Sequence, residues 1–269
     1  MLDKPPSFPV HCTVGANVEE STVSSLYGGC WRDLYMWVWQ AYDLTDSSWY
    51  SAGLSDACNS SLPFAKVVNA AFLINYALSD NDALQWHSTE DYRSSSRATS
   101  NHFHGPFYTR LATTDGGTAD ARAQTRRFLA RDRTNLYCRL FSLGSTSDSA
   151  GNRASTMVHE SWHHWQYAHG FNTSHRKIGS PPRDADWYYP HRVSDFDFGQ
   201  MNRYDTNPSH LLFHSPYQMT VEFDADLAEL SRTWVPLVVT QAARNIGNVR
   251  LANQFANAVA YRIGNPRPF

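Results

Sequence analysis

The stretch MVHESWHHWQYAHG, residues 157–170, decides how this chain is interpreted. If it is helical, His159 and His163 are one turn apart on the same side, and two imidazoles with that spacing can supply two corners of a zinc tetrahedron. Glu160 is not needed as a ligand, so its carboxylate can take a proton from a metal-bound water as general base. His164 points away from the metal face.

The helix that carries this motif has recognisable ends. Ser155 or Thr156 can cap its start, and it is expected to run to about His169, where Gly170 can provide a left-handed stop. The alternating segment NLYCRLFSL, residues 135–143, precedes the motif and is predicted to be a β-strand. Because the motif lies in a capped helix that follows a strand, a metal site explains the two histidines better than chance does.

A second helix is predicted from residue 215 to about residue 234. Ser215 begins a capping-box pattern, and Pro216 occupies the first helical position. The stretch YQMTVEFDADLAEL then places Glu222 and Asp226 one turn apart on one face. This second helix is therefore expected to pack beside the first and to bring carboxylates to it.

Together, HESWH and the Glu222–Asp226 pair resemble the gluzincins, the thermolysin-like branch of the HExxH zinc metallopeptidases. The resemblance implies that Glu222 is the third zinc ligand. It also implies that Asp226 accepts a hydrogen bond from the outer nitrogen of His159 or His163 and fixes its tautomer. Zn²⁺ is the expected cofactor, and a peptide or protein is the expected substrate.

Two other kinds of third ligand remain open. His169 has the spacing of the third histidine in the metzincin pattern HExxHxxGxxH, but Gln166 stands where that pattern has its turning glycine. A continuing helix would carry His169 about 9 Å along the axis from His163 and away from the metal. Asp195 or Asp197 could act as in the aspzincins, whose GTxDxxYG signature is absent here.

Hydrolysis of an amide also develops negative charge on the carbonyl oxygen, which a Tyr or His can stabilise. Tyr217, just before the Glu222 segment, is the first choice for this catalytic role. Other candidates in the irregular stretch before the second helix are Tyr188, Tyr189, His191, His210 and His214.

Four further segments have helical patterns. The aromatic segment 31–42 (WRDLYMWVWQAY) suits a buried helix, and residues 62–78 have helical spacing with a proline near the start. Residues 118–131 are expected to form a polar helix capped by Thr118. Residues 237–262 are expected to form one or two closing helices, 237–246 and 248–262.

These elements predict an α+β fold that is mostly helical and zincin-like. In it, an active-site helix and a second, ligand-bearing helix lie beside a small sheet. With 269 residues, the chain is long enough for a single catalytic domain spanning 1–269, in one lobe or in two lobes with the cleft near the 155–170 helix. Residues 135–143 are the expected edge along which a peptide would lie.

Charge and hydropathy exclude two classes of partner. The formal net charge is −2, and no basic stripe is evident, so nucleic-acid binding is not expected. The arginines between residues 122 and 133 have four-residue steps that suit a solvated helix face. No apolar run reaches the length of a membrane span.

The cysteines indicate an oxidising compartment. Cys12, Cys30, Cys58 and Cys138 form no CxxC pair, and an even number without metal spacing predicts two disulfides. A bond between Cys12 and Cys30, which bracket a short Gly/Ser-containing loop, is favoured. The expected location is secreted or periplasmic, with a signal peptide already removed; the alternative is four free thiols in the cytosol.

The leading functional hypothesis is a zinc metallopeptidase that attacks peptide bonds with zinc-bound water and Glu160 as base. Zinc-dependent hydrolysis of a non-peptide amide or ester uses the same motif and remains open. A third hypothesis is a carbohydrate- or protein-binding module with a structural zinc, since Trp and Tyr rings stack well on sugars.

Overall fold

The arrangement of the chain is given by a computed structural model. It describes residues 18–28, 30–42, 44, 48–77, 110–114, 122–128, 131–141, 149–168, 177–178, 183–184, 216–229 and 231–254. This part is mostly helical with two small sheets, which agrees with the predicted α+β class. None of its helices is both long and apolar enough to cross a membrane.

The helices and strands of the described part are the following. The helices are α1 (Val18–Leu26), α2 (Arg32–Ala41), α3 (Ser48–Ser51), α4 (Pro63–Tyr76), α5 (Cys138–Phe141), α6 (Ala150–Ala168), α7 (Pro216–Glu229) and α8 (Leu237–Gln254), with one 3₁₀ turn at Leu54–Asp56. The strands are β1 (Arg110–Thr114), β2 (Ala123–Phe128), β3 (Arg131–Tyr137), β4 (Lys177–Ile178) and β5 (Arg183–Asp184).

Helix α4 is the centre of the apolar core. Every residue from Pro63 to Ile74 is buried, as expected for a helix that other elements cover on all sides. Helices α1, α2 and α6 pack against it. The predictions of a helix within residues 31–42 and of another within residues 62–78 are confirmed, and Pro63 lies at the start of α4, where its missing N–H costs nothing.

The three-stranded sheet has the order β1-β3-β2, with β1 parallel and β2 antiparallel to β3. The predicted helix at 118–131 is wrong, because residues 123–128 form β2 and pair with β3 instead. The arginines that are spaced four residues apart lie in or next to strands β2 and β3. Hydrogen bonding between these strands outweighs the local preference for a helix. The solvated arginine helix is therefore wrong as well.

The predicted strand at 135–143 is only partly correct. Strand β3 ends at Tyr137, and residues 138–141 turn into the short helix α5. Strand β3 is also the central strand, bonded to β1 on one side and to β2 on the other. It therefore has no free edge for a peptide, and the predicted substrate position along 135–143 is wrong.

Two buried cations fix the short helix α5 in the core. Arg153 donates to the carbonyl oxygen of Leu140 at 3.2 Å, and Lys66 donates to that of Phe141 at 3.1 Å. These are carbonyls that the end of a helix leaves without partners inside the helix, and cations there also face the negative end of its dipole. Arg153 is further paired with the buried carboxylate of Glu20, which ties α1 to α6.

The motif helix α6 begins earlier than predicted. The hydroxyl of Ser149 accepts a hydrogen bond from the backbone N–H of Asn152 at 3.1 Å, so Ser149 is the N-cap. Thr156 lies inside the helix and donates to the carbonyl of Asn152 at 2.9 Å. The helix continues to Ala168, close to the predicted end, and residues 169 and 170 lie outside the described part.

Helix α7 begins at Pro216 as predicted but ends at Glu229, before the predicted end. The chain beyond it turns toward α4, where the N–H of Arg232 donates to the carbonyl of Ala77 at 2.7 Å. Residues 237–254 form one continuous helix rather than a helix broken near residue 247. The predicted capping residue Ser215 lies outside the described part.

The cysteine pairing differs from the favoured one. Cys30 is bonded to Cys58, so the predicted bond between Cys12 and Cys30 is wrong. The packing of α2 against α4 brings the segments before the two helices together, and sequence spacing does not reveal that contact. Cys12 and the side chain of Cys138 lie outside the described part, so a second disulfide stays a prediction.

A buried cluster around Arg250 joins α6, α7 and α8. The guanidinium donates to Asp224 at 2.6 Å and to the amide oxygen of Asn152 at 2.9 Å, and it also contacts the hydroxyl of Ser155. Asp224 is fully buried, and burial raises its pKa to about 6, although Arg250 and Ser155 act in the opposite direction.

This raised pKa predicts a measurable pH dependence of stability. Because the folded chain holds the proton of Asp224 more tightly than the unfolded chain, the stabilising contribution is complete below about pH 4 and is lost as the pH rises through about 6. The loss should be about 3 kcal/mol. Asp224→Asn has no such titration, so urea unfolding at several pH values should show the stability of the variant rising relative to that of the natural chain across this window. Parallel curves would contradict the prediction.

Candidate metal centre

Helix α6 brings His159 and His163 together as predicted. Their ring centroids are 5.1 Å apart, with the ring planes at 76°. Two imidazoles that bind one tetrahedral zinc at the usual Zn–N distance have centroids about 5 Å apart. His163 is buried and His159 is half-buried. The separation of the two rings therefore fits a single zinc ion between them.

Helix α7 covers this face of α6 through Thr220. The Thr220 hydroxyl lies 3.4 Å from Nδ1 of His159. If Nδ1 carries the proton and donates it to this hydroxyl, Nε2 is left with the lone pair that a metal needs. Thr220 was not predicted from the sequence, because its contact with His159 depends on how the two helices pack and leaves no mark in residue spacing.

Two contacts show the direction in which α7 runs relative to α6. Thr220 meets His159, and one turn later Asp224 meets Ser155 through Arg250, so α7 runs antiparallel to α6. Residue 217, one turn before Thr220 and about 60° around the axis from it, is therefore carried toward the His163 end of the motif. The catalytic role of Tyr217 stays a prediction.

The same helix geometry does not support Glu222 as a ligand. Residue 222 follows Thr220 by about 200° around the axis, so its position in the backbone is on the far side of α7 from the contact with His159. Asp226 is buried, at about 240° from Thr220 by the same rule. The zinc-ligand role of Glu222 and the bracing role of Asp226 stay predictions.

Glu160 lies in a pocket between α6 and the sheet. Its side chain is only 5% exposed, and Thr125 of β2 donates to its Oε2 at 2.6 Å. The hydroxyl of Thr134, on β3, is 2.8 Å from that of Thr125. This contact was not predicted, because the sequence pattern placed Thr125 in a helix rather than in a strand facing the motif.

Several predicted site residues lie outside the part of the chain that the structure describes. These are the side chains of Tyr217 and Glu222, together with residues 169, 195 and 197. Among the described side chains there is no group of three His, Cys, Asp or Glu that could hold a metal ion. The described part of the site thus consists of two candidate ligands and one carboxylate.

No family model, no curated protein and no solved structure matches this chain. Its function is therefore inferred from the side-chain geometry of α6 and its neighbours and from the resemblance of the motif itself.

Proposed function

We propose that this chain is a zinc-dependent metallopeptidase of the zincin type, which hydrolyses peptide bonds with Glu160 as general base. The observation that carries the proposal is the arrangement along α6. The rings of His159 and His163 are 5.1 Å apart, and the buried carboxylate of Glu160 follows the first of them. A structural zinc site would need the two histidines but would have no use for this carboxylate.

His159 and His163 would hold a zinc ion, which would supply Lewis acidity for activating water and polarising the carbonyl of the substrate. Glu160 takes the proton from the attacking water and delivers it to the leaving amine. Tyr217 donates a hydrogen bond to the carbonyl oxygen as negative charge develops there. Because Glu160 and His163 are buried, bulk water does not compete for the polar atoms of their side chains.

Strand β2 is the proposed docking edge for an extended peptide. Within the described sheet, β2 is bonded to β3 on one side only. Its Thr125 touches Glu160, so a peptide that adds as a further strand along β2 passes directly beside the general base. This geometry favours a peptide over a small ester or amide, which needs no strand edge.

Two arguments about Glu222 as the third zinc ligand disagree. The gluzincin resemblance predicts that Glu222→Ala lowers zinc affinity as strongly as His163→Ala does. The position of residue 222 on α7, about 200° from Thr220, predicts little change. Competition titration with a zinc chelator decides between them, with His169→Ala as the matched test of the metzincin alternative.

Export is part of the proposal. The bond between Cys30 and Cys58 is of a kind that persists in oxidising compartments, which supports a secreted or periplasmic protein. Detection of free thiols at both positions in protein isolated from its natural source would contradict this part of the proposal.

The test of the function itself has two steps. The native protein is first analysed for metal by mass spectrometry before and after chelation, and one zinc per chain is expected. The zinc-loaded chain is then incubated with a mixed peptide library and, in parallel, with ester and simple amide substrates. Cleavage confined to esters or simple amides would assign the alternative hydrolase, and stoichiometric zinc without any turnover would assign a binding module.

A further inference from the structure

The contact between Glu160 and the sheet has a defined direction of hydrogen bonding. Thr125 donates its single hydroxyl hydrogen to Oε2 of Glu160, at 2.6 Å. The 2.8 Å contact between the two threonine hydroxyls must then have Thr134 as donor. The order is therefore Thr134 to Thr125 to Glu160.

The sheet register explains why both threonines face α6. Thr125 and Thr134 are direct partners across the β2–β3 pair, so their side chains emerge on the same face. Thr125 is 8% exposed and Thr134 is 1% exposed, so water does not compete for either bond. The hydroxyl of Thr125 also lies 3.3 Å from the backbone carbonyl oxygen of Glu160, so the strand lies close to this point of the helix.

We propose that Thr125 is a positioning residue for the general base, an inference that rests on the proposed peptidase function. The terminal torsion of a glutamate is broad, so an unrestrained carboxylate rotates through many orientations. A bond of this length to a charged oxygen is strong and directional. Thr125 fixes Oε2, and Thr134 fixes the hydroxyl of Thr125, so the carboxylate is held in one orientation before substrate binds.

The experiment compares Thr125→Val with Thr125→Ser in the zinc-loaded chain, using the best peptide from the library. Valine keeps the shape of threonine and removes the hydroxyl, so kcat should fall by about 10- to 100-fold, the cost of a small misplacement of a catalytic group. KM and zinc content should stay near those of the natural chain, and the variant should stay folded with a thermal midpoint only a few degrees lower, because the buried carboxylate loses one hydrogen-bond donor. Serine keeps the hydroxyl and should restore kcat to within a few-fold.

Three further variants sharpen the result. Thr134→Val should lower kcat less than Thr125→Val, because it acts one bond further away. Thr240→Val, which removes a hydroxyl bonded to the backbone carbonyl of Leu237 in α8, should leave kcat unchanged. In a Glu160→Gln background, Thr125→Val should cause no further loss of kcat.

Failure of the positioning role of Thr125 can be distinguished from failure of the proposed peptidase function. If the natural chain turns over peptides and Thr125→Val does so equally well, the inference fails and the peptidase proposal stands. Loss of zinc or of the folded state in Thr125→Val, or failure of serine to restore kcat, would make Thr125 a structural residue and overturn the inference. If the zinc-loaded natural chain has no activity, the proposed function and this inference both fall.

Discussion

Glu160→Gln is expected to keep one zinc per chain and to lose about 10²- to 10⁴-fold in kcat, the usual contribution of a general base. Glutamine has the shape of glutamate, and its amide oxygen can still accept the hydrogen bond from Thr125. The fold and both histidines should therefore be unaffected, while the ability to take a proton is gone. Steady-state kinetics on a cleaved peptide, with metal analysis of the same sample, measures both expectations.

The conservative replacement also separates chemistry from packing. Thermal midpoints of Glu160→Gln and of the natural chain should agree closely, because the buried pocket between α6 and β2 stays filled. Full activity of the glutamine variant with zinc bound would remove Glu160 from the role of base. Loss of zinc in the variant would instead make Glu160 part of the metal site.

His159→Ala and His163→Ala should each abolish stoichiometric zinc binding. Removing a residue that braces a ligand already costs about 10- to 100-fold in metal affinity, and removing a ligand costs more. Because zinc binds the folded chain far better than the unfolded chain, the thermal midpoint of the natural protein should rise on addition of zinc. The same midpoint in either variant should not respond.

The matched control is the neighbouring histidine on the same helix. Residue 164 is about 100° around the axis from residue 163, so His164→Ala should keep zinc and the zinc-dependent rise of the midpoint. Stoichiometric zinc in both His159→Ala and His163→Ala would contradict the metal site altogether. Loss in only one of them would place the metal away from the midpoint between the two rings.

The motif helix was the most predictable element. Its existence and the pairing of the two histidine rings follow from spacing, since a helix forces residues four apart to be neighbours, and Gly170 predicted an end close to residue 168. The helices at residues 32–41 and 63–76 were predictable for a similar reason, because their apolar content needs a core, although the first buries only one face and leaves Met36 48% exposed. Local periodicity suffices for such elements.

The wrong or missing predictions concern contacts between segments that are distant in sequence, which local periodicity does not reveal. Arginines four residues apart suggested a helix where β2 pairs with β3, because strand pairing depends on a second segment. The contacts of Thr125 with Glu160 and of Thr220 with His159 depend on how elements pack. The partner of Cys30 depends in the same way on the packing of α2 against α4.

Among the described side chains of α6, three that precede the motif hold neighbouring helices in place. Asn152, Arg153 and Ser155, in its first half, hold α1, α5, α7 and α8 in place. His159 is the central residue of the helix, and His163 lies in its second half. One part of this helix therefore holds neighbouring elements in place, and another part carries the candidate metal site. Under the proposed function, substitutions at the motif would change metal binding or catalysis while the contacts of Asn152, Arg153 and Ser155 keep the chain folded, so this part of the helix is open to evolutionary change.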